Sequence, residues 1–221
     1  MNNSKIIAAI LVGTAILIFF LVYISEPKNI INRIEPSFVP EQRAVFEQQL
    51  KDAQKNIDAI TKETPNVEQA TRYSLLARAY SNLGDYQEAR RWFEKAVKIK
   101  RNIPVYLEYY NLLTAMHDFE AARDVARAGL AIYPLNFDIW QSLIALSRSQ
   151  FEANDTEITS LYLEALAKSE SQPELLADFA RYQEELGRPE EALKYWRAAV
   201  IRAPQVAFYQ QQVERLEIQL K

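Results

Sequence analysis

His117 is the single histidine of the chain and the first candidate for proton transfer, since imidazole titrates nearest neutral pH. It lies beside Asp118 in a stretch that reads as a turn, and a turn residue is the plain account of it. Nucleophilic catalysis would need a partner hydroxyl, yet no serine sits in a Gly-x-Ser-x-Gly elbow. Paired carboxylates are the second pattern with chemical meaning, at Glu184-Glu185 and Glu190-Glu191. Adjacent residues on a helix point about 100° apart, so neither pair makes an acid/base couple and a solvated surface explains both. The chain has no cysteine, which excludes thiolate metal sites, disulfides and thiol nucleophiles. One histidine excludes a histidine-pair metal motif, and with 4 glycines in 221 residues no glycine-rich phosphate loop is present. No catalytic, cofactor-binding or metal-ligating residue is assigned, and neither a cofactor nor a small-molecule substrate is expected. The chain reads as a protein that binds, not as an enzyme.

The elements that must present a binding surface are unevenly built. Apolar residues make up 49% of the chain and charged residues 25%, ample for a core. From Ile6 to Ile24, however, 17 of 19 residues are apolar and none is charged. As a helix this run would span roughly 28 Å, close to the ~30 Å hydrocarbon core of a bilayer. It predicts an uncleaved transmembrane helix over 6–24, preceded by a short tail, 1–5. A signal peptide would have a shorter apolar region ending in small residues, whereas this one ends at bulky Tyr23. No cysteine follows, so a lipoprotein anchor is excluded. The tail carries Lys5 and no acid, while the exit side carries Glu26, Lys28, Arg33 and Glu35, so charge hardly decides the orientation; the expectation is a single-pass membrane protein with its soluble part on the extracytoplasmic side. Pro27, Pro36 and Pro40 mark residues 25–40 as an extended linker.

Beyond the linker the apolar spacing is three and four almost throughout, the signature of helices. Glu41 to Lys62 places Val45, Phe46, Leu50, Ala53, Ile57 and Ile60 on one stripe before Pro65 stops it. Self-similarity then appears with a period near 34. The first copy runs through Tyr73, Ala77, Tyr80, Gly84, Tyr86, Ala89, Phe93 and Ala96. A second has Tyr106, Tyr109, Leu113, Ala122, Ala126, Gly129 and Pro134, with His117 in place of the turn glycine and Tyr110 where a small residue is expected. The third has Trp140, Leu143, a longer turn through Asn154, then Tyr162, Ala165 and Leu166. The fourth has Leu176, Phe179, Ala180, Gly187, Ala192, Trp196, Ala199 and Pro204. This pattern resembles the tetratricopeptide repeat family. The resemblance implies about four helix-pair repeats over 67–204, an N-terminal capping helix within 41–66, and a C-terminal capping helix over 205–221. Its stripe would be Val206, Tyr209, Val213, Leu216 and Leu220. The expected fold class is all-α: a transmembrane helix followed by a solenoid of antiparallel helix pairs closed by a capping helix.

Such solenoids bind peptides or partner domains in a concave groove lined by the first helix of each repeat. On that resemblance Ser74, Arg78, Asn111, Gln141, Arg148 and Arg181 would face the groove. The three arginines would be placed to hold carboxylates or carbonyls of an extended segment. A known version of the groove clamps a chaperone's terminal carboxylate with Lys and Asn. The matching places here hold Ser74, Arg78, Glu108, Asp138 and Ser142, and the two acids argue against that ligand. Charge is also polarised: between Arg72 and Arg101 there are eight bases and three acids, and between Glu152 and Glu191 eleven acids and three bases. Arg90, Arg91, Lys95 and Lys98 share one helix, a basic surface able to meet anionic headgroups if it is not simply solvated. The sequence pI near 5.4, and aromatics at packing positions, speak against nucleic acid. The expected function is thus a membrane-anchored adaptor or scaffold that holds another protein, membrane-associated or envelope-located, while residues 6–24 engage the bilayer. The alternative is a constitutive structural subunit of a larger membrane complex, or a self-associating solenoid, with the groove unused. The composition and compact build resemble those of bacterial proteins.

Overall fold

A computed structural model of the protein describes residues 40–99, 102–151 and 153–221. Among these residues there are ten α-helices and no strand, and the chain divides near residue 100 into two compact units.

The first unit holds α1 (Pro40–Asp58), α2 (Asn66–Asn82) and α3 (Tyr86–Ile99). Ala53 of α1 is buried with Leu76 and Ala79 of α2, and Leu50, Ile57, Tyr80 and Trp92 pack around them. Arg72 fixes the end of α1 by donating from Nη1 to the Asn56 carbonyl at 2.7 Å. The sequence predicts a helix to Lys62, but α1 ends at Asp58. Thr61 donates its backbone N–H to Thr64 Oγ1 at 2.9 Å, a local bond that competes with helix continuation. Between α2 and α3 the contact is close because Ala77, Ala89 and Ala96 are wholly buried there.

The second unit holds α4 (Ile103–Ala115), α5 (Phe119–Leu130), α6 (Phe137–Gln150), α7 (Asp155–Lys168), α8 (Pro173–Glu185), α9 (Pro189–Arg202) and α10 (Ala207–Gln219). The pairs α4/α5, α6/α7 and α8/α9 are followed by α10, which seats Tyr209, Val213 and Leu216 inward. Phe208 and Tyr209 meet the Trp196 ring at 5.8 and 5.9 Å. Trp140, Trp196, Tyr162 and Phe179 are the largest wholly buried side chains of the unit. Tyr110, oversized for its place, reaches out of its own pair and donates its hydroxyl to the Ser142 carbonyl at 2.8 Å. Gly129 marks a separate close approach: a Cβ there would stand 3.1 Å from Ile139 Cδ1 and 3.4 Å from the Tyr106 ring.

Three helix-pair turns require left-handed backbone, at Gly84 (φ 80°), His117 (φ 57°) and Gly187 (φ 69°). His117 therefore serves as the turn residue itself. It also lies edge-on to Phe119 at 5.5 Å. Gly187 isolates the backbone cost, because nothing lies within 4 Å of a Cβ placed on it. Gly187→Ala is expected to lower stability in urea denaturation by about 1 kcal/mol. An unchanged midpoint would mean that the turn relaxes freely.

The third pair departs from the others. Tyr73 to Ala89, Tyr106 to Ala122 and Leu176 to Ala192 each span sixteen residues, whereas Trp140 to Ile158 spans eighteen. Ile158, buried, stands where the other pairs bury alanine, and α6 and α7 pack less closely than the other pairs. The start of α7 is held locally by a capping box: Asn154 Oδ1 accepts the Glu157 N–H at 3.1 Å, and Glu157 Oε2 accepts the Asn154 N–H at 3.0 Å.

The membrane helix expected over 6–24, its tail and the linker before Pro40 lie outside the described residues. Among the described residues no helix is long and apolar enough to cross a membrane. The longest described helix, α1, buries only Ala53 and has a largely exposed surface. The fold class is corrected to what the described residues show: the paired helices stand, and no membrane-spanning helix is among them, so the transmembrane helix, the single-pass topology, the extracytoplasmic placement and bilayer binding through 6–24 are carried no further.

Candidate functional site

In the first unit, α1 and α2 frame an open groove of about 440 Å³. Phe46, Gln49, Asp52 and Asn56 line it from α1, and Leu75, Arg78 and Asn82 from α2. The α1 residues recur at three- and four-residue intervals, which sets them on one helix face. Leu75 is 41% exposed, a large apolar side chain facing solvent beside amides that can pair with a peptide backbone. Of the residues expected to face a concave groove, Arg78 lines this α1–α2 cleft, and Ser74 is buried, its hydroxyl donating to the Thr71 carbonyl at 2.9 Å.

Asn111, Gln141, Arg148 and Arg181 belong to the second unit, and the first two are exposed on α4 and α6. Arg148 and Arg181 converge on one network around α8. The Arg148 guanidinium lies 4.9 Å over the Tyr182 ring and 2.5 Å from Glu185 Oε2. Arg181 sits 3.5 Å from Asp178 Oδ1, while Asp178 Oδ2 accepts the Tyr162 hydroxyl at 2.9 Å. Tyr182 in turn donates to Asp155 Oδ1 at 3.4 Å, and Tyr162 stacks on Phe179 at 4.8 Å. Both arginines are thus engaged by the chain's own acids. Sequence reasoning missed the tyrosine–aspartate pairs, because each joins residues of different helices.

Burial, then the charge of Asp178, pushes the Tyr162 phenol far above its ordinary range. Burial and then Asp155 raise Tyr182 as well. A raised folded-state pKa gives stability that is complete below the unfolded value near 10 and lost as pH rises above it toward the folded value. The urea midpoint is expected to hold from pH 7 to 9 and to fall above pH 10. In Tyr162→Phe that alkaline fall should be shallower; equal slopes would exclude this tyrosine as its source.

Three of the four basic residues of α3 are also engaged. Arg90 pairs with Glu94 at 3.2 Å, Arg91 pairs with Glu88, and Lys95 Nζ lies 3.8 Å over the Trp92 ring. Lys98 is exposed in the last turn. Of the carboxylate pairs, Glu184 is structural, accepting from Trp196 Nε1 at 2.8 Å and from Arg215 at 2.6 Å, while Glu190 and Glu191 are exposed, Glu191 3.5 Å from Lys194. Among the described residues no group of three or more metal-ligating side chains is placed to hold an ion.

Comparison with known proteins bears on α2 and α3 first. Residues 69–103 match the family model of the tetratricopeptide repeat. No curated protein matches the chain. Two crystal structures of MamA share the fold. One has 18% identity and a TM-score of 0.51, covering 76% of this chain and 95% of MamA. The second has 18% identity and a TM-score of 0.50, covering 76% and 88%. A thermophilic tetratricopeptide repeat protein of Thermus thermophilus aligns at 16% identity and a TM-score of 0.46, over 86% of this chain and 99% of its own. The tetratricopeptide repeat matched over residues 69–103 is generically a non-catalytic scaffolding unit.

Proposed function

We propose that the protein is a non-catalytic scaffold that binds a segment of another protein through its helix-pair surface, with the α1–α2 groove as the principal seat. The observation that carries this reading is the pairing of exposed Leu75 and half-buried Phe46 with Gln49, Asn56, Asn82 and Arg78 in one cleft. An apolar anchor is seated between the helices, and the amides and the guanidinium take the backbone carbonyls beside it. The groove lies within the part of the chain that includes the matched repeat.

The test is affinity for a partner recovered with the full chain and then purified. Leu75→Asp is expected to weaken binding at least tenfold while the melting temperature stays unchanged, since Leu75 contributes little to the core. Arg78→Glu should weaken it as well. If both variants bind as tightly as the parent, the groove is not the seat. A second alternative, self-association with the groove unused, predicts that the chain's sedimentation rises with concentration while both variants keep full partner affinity.

A further inference from the structure

A second cleft, of about 410 Å³, opens beside the third helix pair. It is framed by α5, the end of α6 and α7, and none of Asn111, Gln141 and Arg181 lines it. Its origin is local. Two extra residues between Trp140 and Ile158, one in α6 and one in the turn, and Ile158 where the other pairs bury alanine, hold α6 and α7 apart. Phe151, half-buried, supplies the accessible apolar surface above the buried Ile158 and Leu161, and Arg123 and Arg127 stand on one side.

The charges around this cleft differ in how far they are already used. Arg123 lies 4.5 Å over the Phe151 ring and pairs with Glu120, so it forms a fixed wall. Glu157 is occupied at the start of α7, where it accepts the Asn154 N–H and faces the positive helix end. Glu164 takes Lys168 Nζ at 2.7 Å and stands 3.8 Å from Arg127, beyond hydrogen-bond reach. The Arg127 guanidinium, about half exposed, therefore keeps its planar fork of donors at the edge of an apolar floor.

We propose that this cleft is a second protein-binding site, which takes an acidic segment presenting a bulky apolar side chain next to an aspartate or glutamate. The apolar side chain lies against Phe151, above the buried Ile158 and Leu161, and the adjacent carboxylate accepts two N–H bonds from Arg127. Backbone N–H groups do not compete for that carboxylate, because Asn154 Oδ1 already takes those of Thr156 and Glu157. The site is independent of the α1–α2 groove, so either can fail without the other.

The experiment titrates the isotope-labelled full chain with acetyl-Asp-Phe-Asp-Leu-Asp-amide, with its Asn-for-Asp analogue and with its Lys-for-Asp analogue. The acidic peptide is expected to shift amides around Ala153, Ile158 and Leu161. Arg127→Gln should weaken it at least tenfold, and Arg127→Lys should fall between, keeping the charge without the fork. Arg181→Gln should leave binding unchanged, as should Leu75→Asp. The Asn and Lys analogues should bind at least tenfold more weakly. The proposal is overturned if the acidic peptide does not bind, if Arg127→Gln binds it equally, if the Lys analogue binds as well, or if the shifts fall on α4 and α8.

Discussion

Trp140→Ala is expected to remove about 3–5 kcal/mol of stability, the cost of truncating a wholly buried aromatic side chain. The indole is 1% exposed, and its Nε1–H donates to the Pro134 carbonyl at 2.8 Å. Truncation therefore leaves a cavity on α6 and strips the chain ahead of that helix of its donor. Domains of ordinary size hold only about 5–15 kcal/mol in total, so the loss is a large share. Urea denaturation followed by circular dichroism at 222 nm measures it without relying on the deleted fluorophore. A midpoint equal to the parent's would show that Trp140 is not the keystone of its pair. Trp92→Ala, at a half-buried indole in the first unit, is the milder comparison.

Enlarging a residue should do comparable harm where alanine marks closest approach. Ala192 has no exposed surface at the contact of α8 with α9. Ala192→Leu inserts three heavy atoms into that space, and overpacking of this sort costs about 1–3 kcal/mol, occasionally more. Ala167→Leu, on the exposed side of α7, is the control and should cost nothing measurable. If both leucines are tolerated alike, the alanines do not set helix spacing. Ile158 shows how the chain accommodates a large residue at the equivalent place: a longer turn and a looser pair.

Much of this architecture can be read in the residues themselves. Alanine at 77, 89 and 96, and again at 180, 192 and 199, gives the pairing because a small side chain is the local condition for two helices to touch. Gly84 and Gly187 give the turns because left-handed backbone favours glycine, and His117 reads as a turn residue from its place in the repeat despite its side chain. The fate of the arginines is less legible. Arg148 is engaged by Glu185, thirty-seven residues away on another helix, and periodicity within one helix carries no information about that pairing. The groove likewise takes one wall from α1, whose Gln49 and Asn56 look like ordinary surface amides until α2 stands opposite them. Hydropathy speaks most strongly over 6–24, a run outside the described residues; the described helices contain no membrane-spanning element, and the anchored reading is not carried into the fold.

The capping box at Asn154 has a consequence for how the chain can be rebuilt. Because Asn154 and Glu157 fix the first turn of α7 from within, the helix does not depend on its connection to α6 for its starting point. The entropy of closing a loop grows only slowly with its length, by about 0.6 kcal/mol per doubling. The connection between Phe151 and Asn154 is thus a natural point of graft. A fluorescent tag or a protease site spliced there would lengthen the tether and leave the helices at its two ends in register.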